Sequence, residues 1–488
     1  MKTLRDLLIG LEPLASAGPL DVPISAIRFD SRQVKPGDLF VAIQGLNQDA
    51  ARFIPQAIAA GAAAVVSVHP PLPAIEVPWV QVKNDRRALS HLAAAFTDNP
   101  SHRLQVIGVT GTNGKTTMVA LITAILGREM KVARIGTLGM ACQEHERKSS
   151  LTTAEAPDLF AFLAAAEREG CRTVAMEVSS ASLSQQRVAD IRFAIAVFTS
   201  FSGDHLDFHG TMAHYFQAKL SLFQGLGEEA WSIICADDPQ APAVIREVSG
   251  RYLTYGNSPD ADVTPIKSRF SIQGIEATLK TPKGKVAIES PLLGRINLTN
   301  LMGAVATAVV AGLSLESIAA AIREIPPVRG RLEPVHRGAF AVIVDYAHTD
   351  HALENLLGSL RELTQGRLIV VFGAGGARDQ TKRPRMGAVA ARLADQVVVT
   401  SDNPRSEDPR LIIDAIVAGF PREFTAFTVE VDRRRAIERA LTMAAPGDVV
   451  AIAGKGHEDY QIHGDRTIHF DDREVVQEIL AGGTPCPS

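Results

Sequence analysis

The sequence predicts an α/β protein in three parts. A small α/β domain covers residues 1–100, a domain with a doubly wound, mostly parallel sheet covers 101–330, and a further α/β domain covers 331–488. Three observations predict this. A length of 488 residues exceeds what one hydrophobic core supports. Short apolar runs alternate with helical patterns, which is the rhythm of parallel sheets. A glycine-rich turn joins one such run to a helix in the middle of the chain.

In the first part, Leu4, Leu7, Leu8 and Leu11 fall on one face of an amphipathic helix. Asp6 and Glu12 lie among them, which is not the pattern of a signal peptide. Strands are expected over 38–43 and 63–68, with a helix over 54–60 between them. Asp98-Asn99-Pro100-Ser101 ends the domain, because Asn-Pro favours a turn.

The central part begins with a buried strand over 104–109, followed by Gly111-Thr112-Asn113-Gly114-Lys115-Thr116-Thr117 and a helix over 118–126. This is a phosphate cradle: the glycines let backbone N–H groups approach phosphate oxygens, and the helix N-terminus adds partial positive charge. Lys115 reaches β/γ-phosphates, and the Thr116 hydroxyl suits Mg²⁺. The strict pattern has a glycine where Val109 stands, so the loop is a variant. An ordinary turn with a surface lysine is the alternative, but the turn, the Lys-Thr pair and both flanking elements agree on the cradle. Further strands are expected over 174–178, 194–198 and 231–235, then antiparallel strands within 252–295. The next boundary falls near Pro326–Arg331. Strands over 341–345, 367–372, 396–400 and 448–452 build the last part, and no 20–50-residue repeat interrupts the pattern.

Composition narrows the function classes. Apolar residues make up 46% of the chain, enough for a core in each part, and a net charge of −4 gives no nucleic-acid or anionic-membrane signature. Arg433-Arg434-Arg435 reads as solvated helix surface. The longest apolar run, Leu301–Leu315, is short for a bilayer span. Cys142, Cys171, Cys235 and Cys486 lie far apart, without metal spacing, as free thiols of a reducing compartment would. A soluble cytoplasmic protein is expected.

Polar clusters follow the expected strands, where ligands of open α/β sheets bind. Glu177-Val178-Ser179-Ser180 precedes Gln185 and Arg187, and Glu177 is a candidate Mg²⁺ ligand; an N-cap serine beside a partly solvated acid is the equally weighted alternative. Ser202–Gly210 carries His205, able to ligate a metal or orient a carboxylate. Lys219 lies in a helix over 212–223, and spacing alone gives it no special status. Asp345-Tyr346-Ala347-His348-Thr349 ends another strand. In Gly373–Asp379 the third glycine of a dinucleotide fingerprint would fall at Arg378, so NAD is discounted and the loop is read as presenting Arg378. Asp402-Asn403-Pro404-Arg405 and Gly454-Lys455-Gly456-His457-Glu458 complete the set, with exposed polar loops as the bland alternative.

Taken in order, these segments resemble the Mur ligase family of ATP-dependent amide-forming enzymes. The likeness includes Asp30-Ser31-Arg32 with Gly37–Ala42, the Gly111–Thr117 loop, Leu151-Thr152-Thr153, Glu177–Ser180, Asp204-His205-Leu206-Asp207, Asn297–Asn300, Gly330-Arg331, Asp345–His348, Asp402–Arg405 and Gly454–Glu458. It implies that 1–100 grips a UDP-muramoyl substrate, 101–330 binds ATP, and a Rossmann-like 331–488 brings an amino acid. The branch it resembles adds meso-diaminopimelate to UDP-N-acetylmuramoyl-L-alanyl-D-glutamate in peptidoglycan synthesis, with ATP and Mg²⁺, through an acyl phosphate. The same reaction with L-lysine is one alternative. A folylpolyglutamate synthetase is another, disfavoured by Asp30-Ser31-Arg32 and Asp402–Arg405. A non-catalytic P-loop binding protein is a third, disfavoured because Lys115, Thr116, Glu177, His205 and Lys219 are all intact.

The resemblance assigns the remaining roles. Thr110, Gly111, Thr112, Asn113, Gly114, Lys115, Thr116 and Thr117 would hold ATP together with Asn300, Arg331 and Asp345. Ser31, Leu46, Asn47, Gln48, Thr152, Thr153, Ser179, Gln185 and Arg187 would meet the UDP-muramoyl substrate. Arg378, Asp402, Asn403, Pro404, Arg405, Gly454 and Glu458 would meet diaminopimelate. Lys115, Lys219, Glu177 and His205 would be catalytic, with Thr116, Glu177, His205 and Lys219 as metal ligands. Lys219 would be carbamylated to N6-carboxylysine, because a bare ammonium repels Mg²⁺ and a carbamate supplies oxygen. A monomer that neither binds nucleic acid nor enters membranes is expected. The chain departs from the family pattern at Ala181-Ser182, Ser200, Gly203 and Arg329.

Overall fold

A computed structural model describes residues 2–45, 50–71, 77–142, 145–149 and 151–482. Leu46, Asn47, Gln48 and Cys486 lie outside them. The chain divides into two units, one of 1–264 with 302–314 and the other of 265–301 with 315–488.

Among the described residues the first unit holds two sheets. β1 (Ala15–Ala17), β2 (Ile27–Arg28), β3 (Leu39–Ala42), β4 (Ala64–Ser67) and β5 (Trp79–Gln81) are ordered β1-β5-β4-β3-β2. β3 and β4 are buried on both faces, as parallel strands covered by helices must be. The expected N-terminal helix is only Leu4–Leu7, closed by a capping box between Thr3 and Asp6. It stops before reaching Leu11, so its apolar stripe is one turn long.

The larger sheet runs through β6 (Gln105–Thr110), β7 (Val132–Gly136), β8 (Gly139–Cys142), β9 (His145–Arg147), β10 (Thr173–Glu177), β11 (Phe193–Phe198), β12 (Trp231–Cys235) and β13 (Arg251–Tyr255). Their order is β13-β12-β11-β6-β10-β7-β8-β9, and only the β7-β8-β9 edge is antiparallel. β13 lies parallel to β12, correcting the antiparallel expectation for residues 252–255. β6 sits between β10 and β11. Loops from these three adjacent strands therefore leave the sheet at one edge, which is what assembles a site.

In the second unit, β14 (Thr264–Ser271), β15 (Gly274–Thr281) and β16 (Gly284–Ser290) form a three-stranded sheet. β17 (Glu333–Arg337), β18 (Ala341–Asp345), β19 (Leu368–Phe372), β20 (Gln396–Val399), β21 (Phe427–Val429) and β22 (Val449–Ala453) are ordered β17-β18-β22-β19-β20-β21. A hairpin of β23 (Tyr460–His463) and β24 (Arg466–His469) follows. β18, β22, β19 and β20 are adjacent and parallel, so the polar segments beginning at Asp345, Gly454, Gly373 and Asp402 share one sheet edge.

The expectation of a solvated Arg433 is corrected. Arg433 is fully buried, with Nε and Nη2 each 2.7 Å from the Asp472 carboxylate and Nη2 also donating to the Ala453 carbonyl at 3.0 Å. Burial of a guanidinium requires such saturation by acceptors. Among the described residues no helix is long and apolar enough to cross a membrane.

Candidate functional site

The phosphate loop is stapled from below. Thr112 N–H donates to the Ser200 carbonyl at 2.7 Å, Asn113 N–H to Ser200 Oγ at 3.1 Å, and Thr199 Oγ1 to the Asn113 carbonyl at 2.6 Å. Gly111, at φ 148°, leaves no room for a side chain: an added Cβ would run into Thr199 Oγ1 and sit 2.9 Å from Ser200 N. Only glycine lets the loop lie this close to the segment after β11. Gly114, at φ 84°, opens helix Lys115–Gly127.

Two lysines converge on the loop. Lys115 Nζ donates to the Gly111 and Thr112 carbonyls, both at 2.9 Å, and Lys219 Nζ donates to Gly111 at 2.8 Å. Lys219 projects from helix Met212–Gln224, is 1% exposed, and lies 4.5 Å from the Tyr215 ring centre. Burial, and then the charge of Lys115, push its pKa well below the usual lysine range, with Asp204 opposing. The neutral amine thus gains ground. Tyr215 Oη lies 3.1 Å from Thr112 Oγ1.

Glu177 ends β10 almost fully buried. Its carboxylate accepts from Thr116 Oγ1 at 3.0 Å, Thr137 N–H at 2.8 Å and Thr137 Oγ1 at 3.3 Å. The Thr116 hydroxyl and Glu177 carboxylate are hard oxygen donors beside the phosphate loop, the chemistry Mg²⁺ takes. The donor set therefore fits a magnesium ion held by these two residues. The His205 side chain is exposed, 3.6 Å from Asp204 and with its ring centre 5.9 Å from that of Tyr215, at φ 52°. Among the described residues no three His, Cys, Asp or Glu side chains converge as a metal cage.

The muramoyl candidates gather next to Glu177. Thr153 Oγ1 donates to the Glu177 carbonyl at 2.9 Å and accepts from Ser179 N–H at 3.1 Å. Arg187 donates to the Thr153 carbonyl at 2.9 Å and to Gln185 Oε1 at 2.5 Å, and pairs with Glu155 at 2.9 Å. Thr152 Oγ1 is 3.2 Å from Thr137 Oγ1. Ser31 sits in the small sheet's domain and bonds Gln56 instead. Thr137, Glu155 and Tyr215 escaped the sequence reading. Thr137 directly follows a strand end, and Tyr215 precedes Lys219 by one helical turn, so position could have flagged both.

In the second unit, Asp345 accepts from Leu332 and Ala347 N–H groups at 2.7 and 2.8 Å. Burial raises its pKa against the pull of Arg331, whose guanidinium lies 4.8 Å from the Tyr346 ring. Asn300 Nδ2 donates to Asn297 at 3.3 Å. Asn403 links the amino-acid candidates, donating to Glu458 at 2.9 Å and accepting from Ile462 N–H at 3.0 Å. Pro404 accepts from Glu407 N–H at 3.1 Å. Asp402 lies close enough to Gly454 that an added Cβ there would be 2.5 Å from Asp402 Oδ2. Arg405, at φ 52°, donates through Nη1 to the Gly376 carbonyl at 2.9 Å. Arg378 is exposed. Burial raises the pKa of Glu458, opposed by Lys455 Nζ at 3.5 Å. Arg329, a departure from the family pattern, pairs with Asp471 at 3.1 Å.

His457 carries a stability prediction. Burial, then Arg331 and Arg329, lower its pKa from 6.5 to about 4. Between those values the unfolded chain binds a proton that the folded chain does not. Stability contributed by His457 is therefore complete above pH 6.5 and is lost as pH falls toward 4, by on the order of 1–3 kcal/mol. Urea unfolding across this window should show a slope that His457→Gln flattens; an unchanged slope refutes it.

The family described as "Mur ligase family, catalytic domain" matches residues 23–97, "Mur ligase middle domain" matches 109–308, and "Mur ligase, glutamate ligase domain" matches 330–456. The UDP-N-acetylmuramoyl-L-alanyl-D-glutamate–2,6-diaminopimelate ligase of Gloeobacter violaceus is 47% identical over 464 residues, covering 94% of each chain. The ligase of the same name from Geobacillus kaustophilus is 42% identical, covering 94% of this chain and 95% of its own. A solved structure of such a ligase superposes with TM-score 0.73 at 31% identity over 99% of both chains. A folylpolyglutamate synthase of Mycobacterium tuberculosis, solved with ADP and AMPPCP, reaches TM-score 0.63 at 18% identity over 82% of this chain and 96% of its own, a likeness of fold alone.

Proposed function

The chain belongs to the Mur ligase family, and from that premise we propose that it joins meso-diaminopimelate to UDP-N-acetylmuramoyl-L-alanyl-D-glutamate at the expense of ATP. The observation that carries this reading is the 47% identity, over 94% of the chain, to a ligase of that name. In this reading residues 1–100 take the UDP-muramoyl part, 101–330 take ATP and 331–488 take the amino acid. The work belongs to peptidoglycan synthesis in the cytoplasm, with the protein as a monomer.

The γ-carboxylate of the D-glutamyl residue attacks the γ-phosphorus of ATP, giving an acyl phosphate and ADP. The diaminopimelate amine then attacks the acyl carbon, a tetrahedral intermediate forms, and phosphate leaves. Such chemistry depends on positioning and charge neutralisation. Lys115 and the loop amides carry the phosphates. Thr116 and Glu177 would hold magnesium, with His205 and a carbamate on Lys219 as the further ligands the family resemblance implies, and the ion would supply neutralisation of developing phosphate charge. Thr152, Thr153, Ser179, Gln185 and Arg187 orient the acceptor. Asn300, Arg331 and Asp345 serve the nucleotide.

The test is phosphate release from ATP measured with and without both acceptors. Release that requires both supports the ligase; release indifferent to them sinks it. The choice of meso-diaminopimelate over L-lysine turns on a distal carboxylate, which a guanidinium grips in a two-pronged way. Arg405 is held through Nη1 to the Gly376 carbonyl, the rest of its fork would take the carboxylate, and Asn403, Asp402, Glu458 and Gly454 lie at the same sheet edge. Loss of such a charge-assisted pair costs on the order of 2–5 kcal/mol. Arg405→Ala should raise KM for meso-diaminopimelate steeply and that for ATP little. Equal use of L-lysine by the purified enzyme would refute the specificity.

A further inference from the structure

We propose that Cys142 and Cys171 form a reversible intrachain disulfide site. Their sulfurs lie 2.7 Å apart although 29 positions separate them in sequence, and both side chains are buried, at 2% and 3% exposure. Ordinary nonbonded heavy-atom contacts settle at about 3.5–4.0 Å, and a disulfide at about 2.05 Å. The two thiols are free and in direct contact, within reach of a bond.

The backbone imposes this approach. Cys142 ends β8 opposite Ala133 of β7, and Ala133 in turn lies opposite Val174 of β10. Cys171 precedes β10 by two residues. It is fixed by a hydrogen bond from its N–H to the Ala166 carbonyl at 2.9 Å, just after Gly170 at φ 83° ends helix Ala156–Arg168. Sheet register pins one cysteine and a helix C-terminus pins the other, so neither needs to move far. A bond would tie the antiparallel edge of the sheet to the start of the strand that carries Glu177. It would also close a loop containing Thr152 and Thr153.

The co-reactant is a peroxide. One thiolate sulfur attacks a peroxide oxygen, the O–O bond breaks, and a sulfenic acid forms with release of water after proton uptake. The second sulfur attacks the first, the S–O bond breaks, and a second water leaves. Two thiols have lost two electrons and two protons, and the peroxide has been reduced. Burial raises the Cys142 pKa, so the thiolate forms seldom and the reaction is slow, paced by local opening of the exposed β9 edge.

The test uses the full chain treated with hydrogen peroxide and mapped by mass spectrometry without reduction. A single Cys142–Cys171 crosslink is expected, with denatured-state thiols falling from the four of the sequence to two and returning to four with dithiothreitol. Constraining the unfolded chain should raise the oxidised protein's melting temperature by several degrees. Cys171→Ala should abolish both the crosslink and the shift, and Cys235→Ala should keep both. Four thiols surviving peroxide, crosslinks through Cys235 or Cys486, or sulfinic acid in place of the bond would overturn the proposal. The wild-type peptide map decides the matter even if the Cys171 variant fails to fold.

Discussion

Lys219→Ala should remove nearly all amide-forming turnover while the protein stays folded. The side chain is buried against the Tyr215 ring and donates to the Gly111 carbonyl beside Lys115. As a bare ammonium it adds a second cation where a phosphate loop already has one; burial first, and the charge of Lys115 second, lower its pKa. In the proposed reading the neutral amine is the form that would capture CO₂, and the carbamate would turn a repelling cation into an anionic oxygen donor for the magnesium site of Thr116 and Glu177. Losing that donor removes several kcal/mol of charge stabilisation, a rate loss of roughly 10³-fold or more. Short carboxylic acids that fit the vacated space should restore part of the rate. Replacing this buried side chain by alanine is tolerable for folding, since burying its charge is itself costly. Steady-state kinetics with a melting curve on the same sample check the result; wild-type-like turnover would sink both the carbamate and the ligand role.

Most of the fold was legible, because buried parallel strands read as unbroken apolar runs and their order along the chain is local information. The strand-end clusters followed from that rhythm. What escaped depended on contacts between distant positions. Arg433 looked like one of three solvated arginines, yet Asp472, 39 positions on, draws it into the core. Cys142 and Cys171 carried no spacing signal, since β7 and β10 bring them together. The β13 direction was lost for a similar reason: short alternating runs mark strands but not which neighbour pairs with them. Lys219 is the sharpest case. Nothing in its local helix distinguishes it, and the family resemblance alone marked it out. Its burial beside Lys115 supplies a physical reason for attention that spacing could not.

Lys115→Ala should abolish ATP-dependent acyl phosphate formation and leave the melting temperature nearly unchanged. The side chain is half-buried, and its ammonium donates to the Gly111 and Thr112 carbonyls, 2.9 Å each, instead of packing into a core. Those carbonyls belong to a loop already stapled by Thr199 and Ser200, so the loop keeps its shape without the lysine. What disappears is a cation at the start of the helix that, in the proposed reading, would neutralise the charge spreading over the transferring phosphoryl oxygens. A preorganised cation of this kind is worth about 3–4 kcal/mol in the transition state, or roughly 10²–10³-fold in rate. The helix N-terminus and the loop amides remain, so nucleotide binding should weaken less than turnover. The informative measurement is therefore a pair: ADP affinity by calorimetry and phosphate release under saturating acceptors. A large fall in the second with a small fall in the first assigns Lys115 to the transition state, because removal of ground-state binding alone would move the two together.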